Sequence, residues 1–207
     1  MRTIVYIDGF NLYYGALRRR PHLKWLDLSK LARLLLPGDE IVGIRYFTAR
    51  ISARANDPDG PRRQQVYLRA LRTLEPLVSI HYGQFLTSTT RAAVVTPPPP
   101  TIEVWKTEEK GSDVNLATYL LLDAFDARME LAVIVSNDSD LVTPLKALRH
   151  RFQIAIGLAN PHDHPSRSLV PEASFIKQVR AGPLAASQFP DVLTDDHGEI
   201  RRPDTWR

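Results

Sequence analysis

The chain has 207 residues, enough for one substantial core, and its 43% hydrophobic and 24% charged residues are the proportions of an ordinary globular protein. It contains no cysteine, which excludes disulfides, thiolate zinc sites, iron–sulfur clusters and cysteine nucleophiles, so any metal must sit on oxygen or imidazole. The net charge of +4 divides unevenly: residues 1–91 carry 15 Lys and Arg against 7 Asp and Glu, and residues 92–207 carry 12 against 16. A basic half beside an acidic one suits phosphate and divalent metal respectively, although basic helices are often simply solvated. The apolar run that ends at Asp8 is too short for a signal-peptide core and no stretch is long enough to span a bilayer, so a cytoplasmic protein is expected.

In chain order, the β-favouring run Thr3–Ile7 predicts a buried strand ending at Asp8-Gly9. Leu26–Leu36 has helical period, with Asp27 or Ser29 as N-cap and Pro37-Gly38 as the stop. A second strand is expected over Ile41–Ala49, a helix over Arg62–Leu74 and a third strand over Leu77–Phe85. Between Thr87 and Thr101 the pattern gives way to small residues and Pro97–Pro100, read as an exposed polyproline loop. A helix follows over Ser112–Asp126, with Ser112 as its cap, then a fourth strand Leu131–Val135, a helix from Leu141 to His150 and a fifth strand Phe152–Ile156. Residues 172–179 predict a short helix or strand. Residues 181–207 are set apart as an extension that is flexible or docks on a partner, leaving residues 1–180 as the main domain.

Alternating strands and helices are the pattern of βαβ units, hence an α/β fold with a central parallel sheet, and a strand order of 3-2-1-4-5 puts the first and fourth strands side by side. Asp8 then follows the first strand, Asp138 and Asp140 follow the fourth, and Asp113 opens the helix running back to the same edge. Each has a plainer use, as a turn residue, a helix cap or a complement to a helix dipole. Their convergence on one edge favours a shared purpose: clustered carboxylates resist ionisation unless a cation joins them, and Mg²⁺ or Mn²⁺ suits hard oxygen ligands. Asn11 adds an amide at this edge, Ser136 and Ser139 can orient ligands or phosphate, and Lys110 can neutralise phosphate charge. Asp140 ligates directly, acts through water or caps a helix. His162 and His164 lack a third convincing zinc ligand and read as solvent-exposed or structural.

Three ordered segments, Ile7-Asp8-Gly9-Phe10-Asn11-Leu12, Lys110-Gly111-Ser112-Asp113-Val114 and Ser136-Asn137-Asp138-Ser139-Asp140-Leu141, resemble the signatures of the NYN family (LabA-like, DUF88) of the PIN-like superfamily, over residues 1–180. Asn137 stands where many relatives have Gly and Leu141 where they have Phe, departures that touch loop shape rather than the carboxylates. The resemblance implies a PIN-like three-layer sandwich and a metal-dependent nuclease acting mainly on RNA, with DNA as a second candidate. Asp8, Asp113 and Asp138 become the main acidic residues, Asp140 an additional one and Asn11 their polar companion. The expected chemistry is in-line hydrolysis by metal-activated water. Substrate approaches across basic residues such as Arg18, Arg19, Arg20, Arg45, Arg50, Arg54, Arg62 and Arg63, and Tyr13 or Tyr14 can stack on a base. A non-catalytic binding module is the alternative, and a pyridine-ring hydroxylase, as described for some relatives, lacks support from any G-x-G-x-x-G fingerprint here. A homodimer or a regulatory protein partner is a further expectation.

Overall fold

Strand β1 (Arg2–Asp8) is buried along its whole length after Arg2, as its β-branched run demands, and lies at the centre of the sheet. The computed structural model describes residues 1–96 and 98–207. Pro97, the first residue of the proline run in the expected loop, lies outside the described residues.

Among the described residues the main sheet has seven strands: β2 (Glu40–Ala49), β3 (Val78–Ala93), β4 (Thr101–Lys110), β5 (Leu131–Val135), β6 (Ala155–Asn160) and β7 (Phe175–Gln178) join β1 in the order β4-β3-β2-β1-β5-β6-β7. All neighbours pair parallel except β3 and β4. The five-strand order expected from the sequence is retained at the centre and extended at both edges.

Alternate residues of β1 enter two cores. Val5 and Ile7 pack with Leu28 and Leu31 of α2 (Leu28–Leu35) and Leu68 and Leu71 of α3 (Gly60–Arg72). Ile4 and Tyr6 pack with Leu116 and Leu120 of α4 (Ser112–Phe125) and Leu145 of α5 (Val142–Ala147). Helices thus cover both faces. No helix among the described residues is long and apolar enough to cross a membrane.

Three expectations need correction. The segment read as a loop over Thr87–Thr101 is largely strand: residues 84–93 of β3 pair antiparallel with β4, from Gln84 opposite Lys110 to Ala93 opposite Thr101. This arm is exposed on both sides over most of its length, so no apolar alternation marks it, and its backbone ladder organises it instead. The fifth strand begins at Ala155 rather than Phe152, because Leu148–Phe152 continues α5 as a π-helical turn and Gln153, at φ 55°, ends it.

The C-terminal tail, expected to be flexible or to dock on a partner, folds back on the chain as α6 (Ala181–Ala186) and the hairpin β8 (Val192–Asp195) and β9 (Gly198–Arg201). Trp25 Nε1 donates to Pro190 O at 2.8 Å, Phe189 packs on the Trp25 ring at 5.6 Å, Arg69 forks onto Asp195, and Ile200 is buried.

Candidate active site

The end of β1 turns at Asp8-Gly9 into α1 (Gly9–Leu12), which continues as a π-helical turn over Tyr13–Leu17. Asp8 is the N-cap: Oδ1 accepts the Asn11 N–H at 2.9 Å, while Oδ2 accepts the Ser136 hydroxyl at 3.1 Å. Glycine is required next, since a β-carbon on Gly9 would stand 2.7 Å from both Phe47 O and the Tyr46 hydroxyl. At the neighbouring strand end, Ser136 Oγ also accepts the Asp138 N–H at 3.1 Å, and Asp138 Oδ1 in turn accepts the Asp140 N–H at 3.0 Å. One buried serine therefore ties the two acidic strand ends together. The plain capping roles considered for Asp8 and Asp138 are real, and they leave Asp138 Oδ2 without a capping partner.

Asp113 arrives from above on the first turn of α4. The expected cap, Ser112, is instead the first helical residue, and the N-cap is Gly111 in a left-handed conformation (φ 94°) that suits glycine. Glu109 supplies the missing cap, its Oε1 accepting the Ser112 N–H at 3.2 Å. Glu109 is a carboxylate that the sequence reading missed. Its place four residues before Asp113 was the available signal, obscured because residues 102–111 were assigned to no element, whereas most of them form β4.

Burial, followed by the charges of Asp8, Asp138, Glu109 and Asp140, raises the Asp113 carboxyl to about 6. Burial also raises Asp8, against the hydrogen bonds from Asn11 and Ser136, with the Asp138 charge adding to the rise. Among the described residues, none of Asp8, Asp113, Asp138 and Asp140 makes a salt bridge. The four acidic residues do not form a ready-made cage, however: among the described residues no group of three or more His, Asp or Glu stands in a metal-holding arrangement. Asp8 and Asp138 are engaged in caps and Asp140 is exposed on a 3₁₀ turn, so like charges share a field rather than a point.

Asn11 is held more firmly than expected. Its Oδ1 accepts the Asn137 N–H at 3.0 Å and lies 2.9 Å from His162 Nε2, which must be the protonated nitrogen because Oδ1 cannot donate. The loop carrying His162 is fixed in turn: buried Asn160, at the end of β6, donates to His162 O at 2.8 Å and to Gln178 Oε1 at 3.0 Å, and Asn137 Nδ2 donates to His164 O at 3.0 Å. Reading His162 as structural was close, but its structural task lies at the acidic edge.

The predicted basic contacts are dispersed. Arg18 lies 5.5 Å over the Tyr14 ring and Arg50 5.4 Å over Tyr82, Arg19 is exposed, and Lys110 pairs with Glu108 at 3.3 Å. Ser139 is exposed, opening the 3₁₀ turn. Arg45 belongs elsewhere, forked onto buried Asp123.

The sequence matches the NYN domain over residues 2–178. The chain belongs to the NYN family. NYN domains have a nuclease-like fold, in keeping with the helix-flanked parallel sheet. The chain is 33% identical to the 6-hydroxy-3-succinoylpyridine 3-monooxygenase of Pseudomonas putida, over 100% of its own length and 75% of that protein's. A crystal structure of a Vibrio parahaemolyticus protein of unknown function shares the fold of this NYN chain, with a TM-score of 0.52, 14% identity, and coverage of 87% of this chain and 94% of that one.

Proposed function

We propose that this NYN protein is a divalent-metal-dependent nuclease that hydrolyses phosphodiester bonds in RNA, acting in the cytoplasm. The observation that carries the reading is four aspartates at one sheet edge, without cationic partners among the described residues, where burial and then the neighbouring carboxylate charges raise Asp113 to about 6. The donor chemistry fits Mg²⁺ or Mn²⁺: Mg²⁺ keeps several waters and commonly uses one or two carboxylates, so a three-carboxylate cage is not required. Asp8, Asp113 and Asp138 are the proposed ligands, with Asp140 acting through water. A bound ion of this kind supplies Lewis-acid polarisation of a phosphoryl oxygen and lowers the pKa of water. Ser136 holds Asp8 and the Asp138 loop in register. Asn11, its carbonyl oxygen fixed by Asn137 and His162, directs its amide N–H groups toward a phosphate oxygen. Asp113 gives up its proton when the cation enters, so metal affinity rises as pH passes upward through about 6.

The test is incubation of labelled single-stranded and structured RNA with the purified protein in Mg²⁺ or Mn²⁺ and in EDTA. Cleavage that EDTA stops and that Asp8→Asn or Asp138→Asn removes supports the proposal. Folded variants that cleave as fast as the parent contradict it, and metal-insensitive binding without cleavage supports a non-catalytic module instead.

The Pseudomonas relative favours a second reading, hydroxylation of a pyridine ring. Flavin absorbance in the purified protein, together with hydroxylation of a pyridine substrate that survives Asp8→Asn, would support it over the nuclease reading.

A further inference from the structure

Beside the β1–α1 turn lies a cavity of about 200 Å³, with Gly9 and Phe10 in its wall immediately after Asp8. Its lining includes a set of aromatic side chains: Tyr13 comes from the turn after α1, Tyr46 from β2, Tyr67 from α3 and Trp206 from the C-terminal tail. Tyr46 meets Tyr67 edge-on at 6.4 Å, and Tyr67 meets Trp206 edge-on at 6.1 Å, so the walls are held by one another. Tyr67 is fixed further by donating its hydroxyl to Leu26 O at 2.9 Å.

Lys24, Arg54, Arg63 and Asp57 supply the charges around this space. Arg63 engages Asp57. Lys24, 5.2 Å over the Tyr13 ring, and exposed Arg54 make no salt bridge among the described residues, so the rim is left positive. The cavity is smaller than the roughly 300–1,000 Å³ usual for drug-sized ligands, which limits it to a small ligand such as a single ring system.

We propose that this aromatic cavity binds one planar ring carrying an anionic group, the ring between Tyr13 and Trp206 and the anion at Lys24 and Arg54. Aromatic walls stack on any π-face, and cations at the mouth select rings with a phosphate or carboxylate. Two sources share this chemistry: a nucleotide of a strand whose neighbouring phosphate reaches the acidic edge, or a free aromatic acid. The first deepens the nuclease reading and rests on it for the source of the ring alone. The tail beyond residue 178, outside the family match, thereby becomes part of a binding site through Trp206.

The experiment is titration of the full chain, in EDTA so that metal at the acidic edge does not contribute, with uridine monophosphate, uridine and nicotinate, followed by calorimetry and tryptophan fluorescence. Saturable binding of uridine monophosphate or nicotinate is expected, and whichever binds more tightly names the source. Trp206→Ala weakens it about tenfold. Arg54→Ala and Lys24→Ala each weaken the charged probes about tenfold and leave uridine unchanged. Arg54 is exposed, so its variant remains informative if Trp206→Ala does not fold. Asp8→Asn leaves affinity unchanged whether or not the parent cleaves RNA, which separates failure of this site from failure of the nuclease reading. No saturable binding at millimolar probe, equal affinity for uridine and its monophosphate, or affinities indifferent to the Arg54, Lys24 and Trp206 changes would overturn the proposal.

Discussion

Asp113 and Asp123 lie in the first and last turns of the same helix, α4, and have opposite surroundings. Asp123 is 1% exposed, yet Arg45 forks onto it, Arg128 approaches to 3.4 Å and the Tyr6 hydroxyl donates to it at 2.7 Å. Asp113 is only half-buried, and the charges around it are Asp8, Asp138, Glu109 and Asp140. Burial alone therefore does not mark a functional carboxylate. Compensation separates the two: the more deeply buried aspartate is neutralised within the fold, whereas the shallower one is surrounded by other carboxylates. The same contrast removes Arg45 from the substrate contacts expected from the sequence, since its guanidinium is engaged by Asp123.

The largest expected effect falls on the compensated end. Arg45→Ala leaves Asp123 buried with one weak cationic partner and should lower stability by about 3–5 kcal/mol in urea denaturation. A loss under about 1 kcal/mol would break the contrast. At the uncompensated end, Asp8→Asn should reduce RNA cleavage at least about a hundredfold, roughly 2.7 kcal/mol of barrier, without lowering the melting temperature.

Next is a stability effect with a defined sign. The Asp113 carboxyl stands at about 6 in the fold against an ordinary 3.8, so the folded chain holds the extra proton between these values. Metal-free stability from this group is thus full below about 4 and lost as pH rises through about 6. Asp113→Asn should abolish that loss and, after allowance for solvent screening, gain on the order of 1 kcal/mol above pH 6. His81 works in the opposite direction: burial and the Arg45 charge hold it down at about 4 against 6.5, so its contribution is lost as pH falls through that window. The difference between parent and Asp113→Asn curves isolates the aspartate.

The smallest effect belongs to His162→Ala, which frees one side of Asn11. Cleavage should slow about fivefold, on the order of 1 kcal/mol, with unchanged metal affinity. No change would reduce His162 to loop packing.

The central strands and the four aspartates were legible because each rests on a local signal: a β-branched run in Thr3–Ile7 and Leu131–Val135, or a short acidic turn following it. Less legible was anything decided by long-range partners. Nothing in the sequence signals that Arg45 neutralises Asp123, since the two meet only when α4 packs against β2. The exposed arm formed by β3 and β4 lacks the alternation that one buried face imposes. His162 and Glu109 acquire their roles only when separate strand ends meet, and Trp206 only when the tail folds back. At the acidic edge the structure adds the hydrogen bonds of Ser136 to Asp8 and to the Asp138 N–H, which no spacing in the sequence announces.

The central claim, that this field exists to receive a divalent cation, is tested most directly by a crystal soaked in Mn²⁺ at pH 7.5 (about 1.5 units above the Asp113 carboxyl). The account predicts an anomalous peak bounded by Asp8, Asp113 and Asp138, absent from the Asp113→Asn crystal. Three carboxylates that stay apart with no peak between them, or an identical peak in the variant, would contradict it.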